Sequence, residues 1–288
     1  MEQIPTINYQ DLKSNNLELS RFLEDSLNDV GFFVIKDHPI GSKSIDRLFD
    51  LTQSLFNLPL DVKMKYHLKG TNGARGYTPY GIETALHKNV PDQKEFWHQG
   101  SSSNTDLPDN LTIDELESFD EINSLYKEFE MLGIKILESI SNFNIDFNAD
   151  LKEIAVDGNS VLRLLHYPPV DAQANDDRAH AHNDVNLITL LVGGNEGGLE
   201  ALDKKGNWVE CNCEKNEIIC NIGDMLEIIS NNKLRSTAHR VKTKNNESKS
   251  RYSIPFFLHP RPEVVLDPSI NLTANEFLNK RLSDIKLG

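Results

Sequence analysis

A chain of 288 residues with 44 Asp plus Glu against 30 Lys plus Arg carries a formal charge of -14. That balance repels phosphate backbones, and with no long Lys/Arg run it excludes the usual electrostatics of a nucleic-acid binder. The three cysteines, Cys211, Cys213 and Cys220, match neither a disulfide framework nor a four-ligand zinc pattern and read as reduced thiols, while the absence of a roughly 20-residue apolar stretch excludes a membrane helix, so a cytoplasmic protein is expected.

In chain order the predicted elements run from helices to strands. Leu19, Phe22, Leu23, Leu27 and Val30 recur at helical spacing, and Gly31 ends that helix ahead of the apolar strand Phe32 to Ile35. Ile45, Leu48, Phe49, Thr52, Leu55 and Phe56 repeat the spacing, and Ile122, Leu125, Phe129, Leu132, Ile136 and Ile140 form a stripe long enough to back a sheet. After Asp157 the texture changes to short apolar runs: Val161 to His166, Leu187 to Val192, Leu199 to Leu202, Trp208 to Glu210, Ile218 to Cys220, Met225 to Ile229 and Arg251 to Leu258. Asp203 to Asn207 reads as a hairpin connection, Asn221 to Asp224 as a tight turn, and Gly193-Gly194 with Gly197-Gly198 as hairpin glycines lacking the pattern of a phosphate loop. Lys242 to Ser250 reads as a solvated loop, and Thr273 to Ile285 as a terminal helix. Many strands with no long helix between them predict a mainly β fold with flanking α-helices, a sandwich or barrel. With no repeat or linker to divide it, the chain reads as one domain over 1–288, helix-rich over 1–156 with a strand core from about 157.

The chemistry is concentrated between Leu162 and Pro260. His180, His182 and Asp184 alternate, so on an extended backbone their side chains point to one side. One imidazole and one carboxylate two residues apart begin a facial triad, and its third ligand must come from a distant segment, for which His239 is the best supplier. Taken alone, a His-x-Asp pair is more often solvated or satisfied in a core. A fourth protein ligand would occupy an open coordination position, which places His180 on the rim.

The company of the pair raises its value. Gly31-Phe32-Phe33 with His38, Arg75-Gly76-Tyr77, Lys94-Glu95-Phe96 with Gly100, Tyr167-Pro168-Pro169, His182-Asn183-Asp184, Gly197-Gly198-Leu199, Gly206-Asn207-Trp208, Asn221 to Asp224, Ser236 to Val241 and Arg251 to Phe257 follow one another. In that order they resemble the isopenicillin N synthase-like branch of the iron(II)/2-oxoglutarate-dependent oxygenases. The resemblance implies a single catalytic domain with a distorted double-stranded β-helix, or jelly roll, and iron held by His182, Asp184 and His239. It also implies 2-oxoglutarate anchored by Arg251, Ser253 and Tyr167, O2 as the second co-substrate, and ascorbate as a candidate reductant. An iron(IV)-oxo species would then oxidise a small molecule, with hydroxylation the default and desaturation or ring closure as other fates of the same radical. Arg163, four residues before Tyr167, shares its face and is expected to meet an anionic substrate group, on a carboxylic acid, an amino acid or a peptide; the competing reading is an internal ion pair. Asn221 is a minor candidate for the same cavity, and Trp97 and Trp208 read as core or cavity wall.

Three features depart from the family pattern: Val185-Asn186 after the metal Asp, Leu165 in place of a polar residue, and a long hydrophilic stretch between His239 and Arg251. An iron oxidase of the same fold that uses no 2-oxoglutarate, a catalytically silent metal-binding or interaction protein, and a zinc hydrolase are the competing functions.

Overall fold

Asn16 starts the first long helix, Leu17–Asp29, where its side-chain oxygen accepts from the amides of Glu18 and Leu19. Val30 closes the helix, and Gly31 turns the chain at φ +72°, where a Cβ would come within 2.3 Å of the Arg235 carbonyl oxygen; only glycine fits. The computed structural model describes residues 4–14, 16–71, 73–82, 93–102, 107–169, 177–193, 197–242 and 249–284. Gly194, most of the expected solvated loop (243–248) and Ile285 at the end of the expected terminal helix lie outside the described residues.

The core strands are β1 (Thr6–Asn8), β2 (Phe32–Lys36), β3 (Gly76–Thr78), β4 (Glu95–Gly100), β5 (Val161–Tyr167), β6 (Ala179–His182), β7 (Ile188–Val192), β8 (Leu199–Leu202), β9 (Trp208–Glu210), β10 (Ile218–Ile222), β11 (His239–Val241), β12 (Arg251–Ser253) and β13 (Pro255–Leu258). Among the described residues the larger sheet has nine strands, ordered β1-β2-β10-β7-β13-β5-β4-β3 with β12 also paired to β5; the smaller is β6-β11-β8-β9. The helix-rich first half therefore contributes four strands to the larger sheet. The expected single strand Arg251 to Leu258 is two, because the ladder is interrupted at Ile254-Pro255, where proline supplies no amide hydrogen.

Register decides which side chains face which layer. Arg251 lies opposite Tyr167 and Ser253 opposite Leu165; Phe96 lies opposite Leu165 and His98 opposite Arg163. Phe257 lies opposite Val161 and Thr189, and Thr189 opposite Asn221. Opposed residues share a face, as do residues two apart on one strand, so all of these project from one side of the larger sheet. That side meets the smaller sheet: Phe32, Val34 and Ile219 pack against Leu199, Ala201 and Val209.

Over β7, β10 and β13 the opposite side is apolar, and it carries the helices. Phe256 on β13 meets Tyr126 edge-on at 5.2 Å and stacks on Phe129 at 5.9 Å, both from the helix Ile122–Ile140. Burial of a side chain such as Phe256, fully inaccessible here, contributes about 1.5–3 kcal/mol. Trp97 is buried in the same layer, as expected of a core residue. Burial pushes the thiols of Cys211 and Cys213 up to about 12, so these free cysteines stay protonated.

One expected strand is a helix. Met225 to Ile229 belongs to Asp224–Ile229, whose buried residues Met225, Leu226 and Ile229 follow helical rather than alternating spacing; a short apolar run does not distinguish the two. The terminal helix is present as Ala274–Asp284, and Arg281 on it pairs with Asp224. None of the described helices is long and apolar enough to cross a membrane. Two opposed, largely antiparallel sheets with helices on the outer face of the larger make a distorted double-stranded β-helix.

Candidate metal centre

His182 on β6 and His239 on β11 are register partners, and their rings lie 4.4 Å apart between centroids at 52°. Asp184 follows just past the end of β6, where its backbone carbonyl accepts from the Asp224 amide at 2.8 Å. One ligand atom each from His182, Asp184 and His239 lies within 4.8 Å of the others, with His239 Nε2 3.7 Å from Asp184 Oδ1. The remaining atoms are committed elsewhere. His182 Nδ1 donates to the His180 carbonyl at 2.7 Å and His239 Nδ1 to the Thr237 carbonyl at 3.1 Å. A carbonyl can only accept, so each Nδ1 carries the hydrogen and each Nε2 keeps a lone pair for a metal. His180 contributes this carbonyl, and its ring is not part of the cluster.

Asp184 is fixed in the same way. Its Oδ2 accepts from the Thr189 hydroxyl at 2.6 Å and from Asn221 Nδ2 at 2.8 Å, while Oδ1 faces His239. Asn221, a minor candidate for the cavity, donates its Nδ2 to this carboxylate. Asn186 supports the arrangement from below, donating to the Ile188 carbonyl at 2.7 Å and to Thr189 Oγ1 at 3.1 Å. The turn carrying Asn221 can close on this loop because residue 223 is glycine: a Cβ there would lie 2.2 Å from the Asn186 carbonyl oxygen. The departure Val185-Asn186 therefore forms the underside of the carboxylate mount.

Burial, reinforced by the neighbouring His239, holds the His182 imidazole down to about 4, so it is neutral and able to ligate near pH 7. Burial alone would push the Asp184 carboxyl up; His239, His182 and the bonds from Thr189 and Asn221 outweigh it, and the carboxyl lies below its ordinary value. Two imidazoles, each with Nδ1 committed to a carbonyl, and a carboxylate held below its ordinary value fit a divalent first-row metal with open positions.

Along the same inner face, the Arg251 guanidinium donates through Nη1 to the Gly197 carbonyl at 2.6 Å, while its buried Nε has no partner among the described residues. The directly opposed Tyr167 is buried and packs with Phe96 and Leu165, so Leu165 supplies apolar wall where a polar residue was expected. Further along β5, Arg163 Nε donates to His98 Nε2 at 2.6 Å, and His98 Nδ1 donates to the Gly73 carbonyl at 2.6 Å. The guanidinium lies over the rings of Phe96 and Phe257, 4.4 and 5.2 Å from their centroids. Arg163 and Tyr167 share the inner face, as their spacing predicts.

Sequence reasoning missed Thr189 and His98. Thr189 had a signal, a single hydroxyl inside the apolar run Ile188 to Val192. His98 had none, because β4 was not read as a strand.

Residues 158–260 match the 2OG-Fe(II) oxygenase superfamily, and residues 4–120 match the N-terminal region of the non-haem dioxygenases of morphine synthesis. A proline hydroxylase from Petromyces alliaceus is 33% identical, covering 87% of this chain and 84% of its own. The crystal structure of a 2OG-Fe(II) oxygenase family protein from Caulobacter crescentus superposes with a TM-score of 0.85 at 36% identity, over 99% of this chain and 100% of that one. A full-length Neurospora crassa protein in complex with alpha-KG and thymine superposes with a TM-score of 0.82 at 25% identity, over 97% and 96%. The chain belongs to the 2OG-Fe(II) oxygenase superfamily. It is an Fe(II)/2-oxoglutarate-dependent dioxygenase, with iron(II), 2-oxoglutarate and O2 as its cofactor and co-substrates.

Proposed function

We propose that the chain, acting as one catalytic domain, couples decarboxylation of 2-oxoglutarate to hydroxylation of a small organic acid, with iron held by His182, Asp184 and His239. The observation that carries the reading is the convergence of two imidazole Nε2 atoms and one carboxylate oxygen, while both Nδ1 atoms and Asp184 Oδ2 are already committed. When bound, iron(II) with 2-oxoglutarate and O2 supplies the oxidising power. The protein contributes placement. Arg251 offers a planar fork whose buried Nε has no partner among the described residues, which suits the far carboxylate of 2-oxoglutarate, and Ser253 and Tyr167 project from the same face with hydroxyls to complete the grip.

The substrate in this reading lies over β5 and β4, two and three strands, or about 10 and 14 Å, across the sheet from Thr189. Phe96 and Phe257 form the walls there, and Arg163, steadied by His98, takes the anionic group. The proline hydroxylase relative supports a small acid, and thymine, held by the Neurospora crassa neighbour, is the uncharged comparison compound. The test is a panel of small carboxylic acids, amino acids and their amides, with thymine, assayed for substrate-stimulated succinate release. An acid that stimulates release while its amide does not is the expected result; oxygen uptake without succinate in every case overturns the reading.

Two substitutions refine the site. Arg163→Met should raise the KM of the active acid by about 10- to 100-fold, the loss of a charge-assisted bond, with iron and 2-oxoglutarate binding unchanged; an unaltered KM removes Arg163 from the substrate site. Thr189→Val keeps shape and deletes one donor to Asp184, so anaerobic titration should show iron(II) bound about tenfold more weakly in a folded protein.

A further inference from the structure

On the face of β5 turned away from the metal centre, directly behind Tyr167, a group of polar side chains is buried together. Glu95 Oε2 accepts from Lys63 Nζ at 2.8 Å and from the Tyr77 hydroxyl, and Glu95 Oε1 accepts from His166 Nδ1 at 2.7 Å. Lys63, Tyr77 and Glu95 are all buried. A buried Lys–Glu pair persists only when its hydrogen bonds are filled, because the desolvation it suffers rivals its attraction. Here they are filled by residues from three strands and a helix, which makes a stiff mount. Burial by itself would raise the Glu95 carboxyl; His166, Lys63 and Tyr77 reverse that, and it lies below its ordinary value.

The mount ends on β12. His166 Nε2 pairs with Ser250 Oγ at 2.9 Å, and the imidazole ring is held between Phe56 at 5.4 Å and Tyr252 at 5.0 Å, stacked at 28° and 16°. Ser250 and Tyr252 are the two chain neighbours of Arg251. Strand β12 is only 3 residues long and pairs with β5 alone among the described residues, so its ladder does little to fix the arginine. His166 grips both neighbours from behind the sheet.

We infer that His166, oriented by Glu95, is a positioning residue for the 2-oxoglutarate anchor: its clasp on Ser250 and Tyr252 sets where the Arg251 guanidinium stands. The inference rests on Arg251 being that anchor. Three features support it together: the direct bond to Ser250, the stack on Tyr252, and a back-up carboxylate that fixes the ring. A residue serving the core alone would need none of its bonds directed at the segment before Arg251.

The experiment is anaerobic calorimetric titration of the iron(II)-loaded protein with 2-oxoglutarate, paired with steady-state kinetics. Ser250→Ala removes the hydrogen-bonded half of the clasp, keeps the Tyr252 stack and leaves every partner of Glu95 in place. It should raise the dissociation constant for 2-oxoglutarate, and its KM, about fivefold, the loss of one hydrogen bond, with kcat, iron affinity and Tm unchanged. Ser250→Thr keeps the hydroxyl and should restore binding. His166→Phe keeps a stacking ring and loses both bonds, so the same fivefold rise is expected with a lower Tm, and adding Ser250→Ala should not weaken 2-oxoglutarate binding further. A folded Ser250→Ala protein with wild-type 2-oxoglutarate binding, or one whose iron affinity falls in step, overturns the inference. Arg251→Leu separates the two readings: if it leaves 2-oxoglutarate binding intact, the anchor falls and the clasp with it; if it abolishes binding while Ser250→Ala changes nothing, the clasp alone falls.

Discussion

His239→Ala is expected to abolish both iron(II) binding and turnover while leaving the apoprotein folded. Three protein donors make up the cluster, and among the described residues no further His, Cys, Asp or Glu joins it; His180 contributes its carbonyl to His182. His182→Ala should behave alike. Asp184→Ala should lose iron equally but also cost the apoprotein about 1–3 kcal/mol, because the buried donors Thr189 Oγ1 and Asn221 Nδ2 are then left without their acceptor. Anaerobic iron titration together with denaturant unfolding of the apoproteins checks both parts. Full iron affinity in any of the three variants rejects the triad, and equal apo stability in all three rejects the mounting of Asp184 described above.

The second large effect is at Arg251. Arg251→Leu should raise the dissociation constant for 2-oxoglutarate by about 30- to 150-fold, equivalent to roughly 2–3 kcal/mol for a charge-assisted, two-pronged contact. Iron binding should be unaffected, because Arg251 stands at the Tyr167 end of β5, away from Thr189 and Asp184. Among the described residues the guanidinium is held by Nη1 donating to the Gly197 carbonyl, which orients the fork before any ligand arrives; its buried Nε has no partner among them and is a donor that a carboxylate would satisfy. Arg251→Lys keeps the charge without the planar fork and should recover only part of the loss. Calorimetric titration of the iron(II) proteins distinguishes the three. An Arg251→Leu protein that binds 2-oxoglutarate at wild-type strength would falsify the anchor.

The two sites differ in how their geometry is secured. The proposed triad is built at the meeting of two sheets: its histidines are fixed by bonds to main-chain carbonyls, and its carboxylate by the side chains of Thr189 and Asn221. The proposed anchor, Arg251, stands on a 3-residue strand, and in the inference above its placement depends on what grips its neighbours. Loss of iron should therefore follow from removing a ligand or its direct support, whereas 2-oxoglutarate affinity should respond to residues that touch neither group.

The linear order of residues determined the periods, and through them most elements. The helices over Leu17–Asp29, Ser42–Phe56 and Ile122–Ile140 follow from apolar stripes, and β5, β7, β8, β9 and β10 from short apolar runs between turns, because period and propensity are local properties. It also determined the donor types and their co-facial spacing: His182 with Asp184, Arg251 with Ser253, Arg163 with Tyr167. Only tertiary structure decided which atoms of those residues remain available. One of the two partners that fix Asp184 is Asn221, 37 positions away, and the carboxylate behind His166 is that of Glu95, 71 positions away. Such pairings are set by strand register, and register depends on which strands become neighbours, a contest among all the apolar runs that no local window records. The same contest made Met225 to Ile229 a helix and brought β4, unread in the sequence, beside β5. There it placed His98 against Arg163 and Glu95 against His166, one on each face of the sheet.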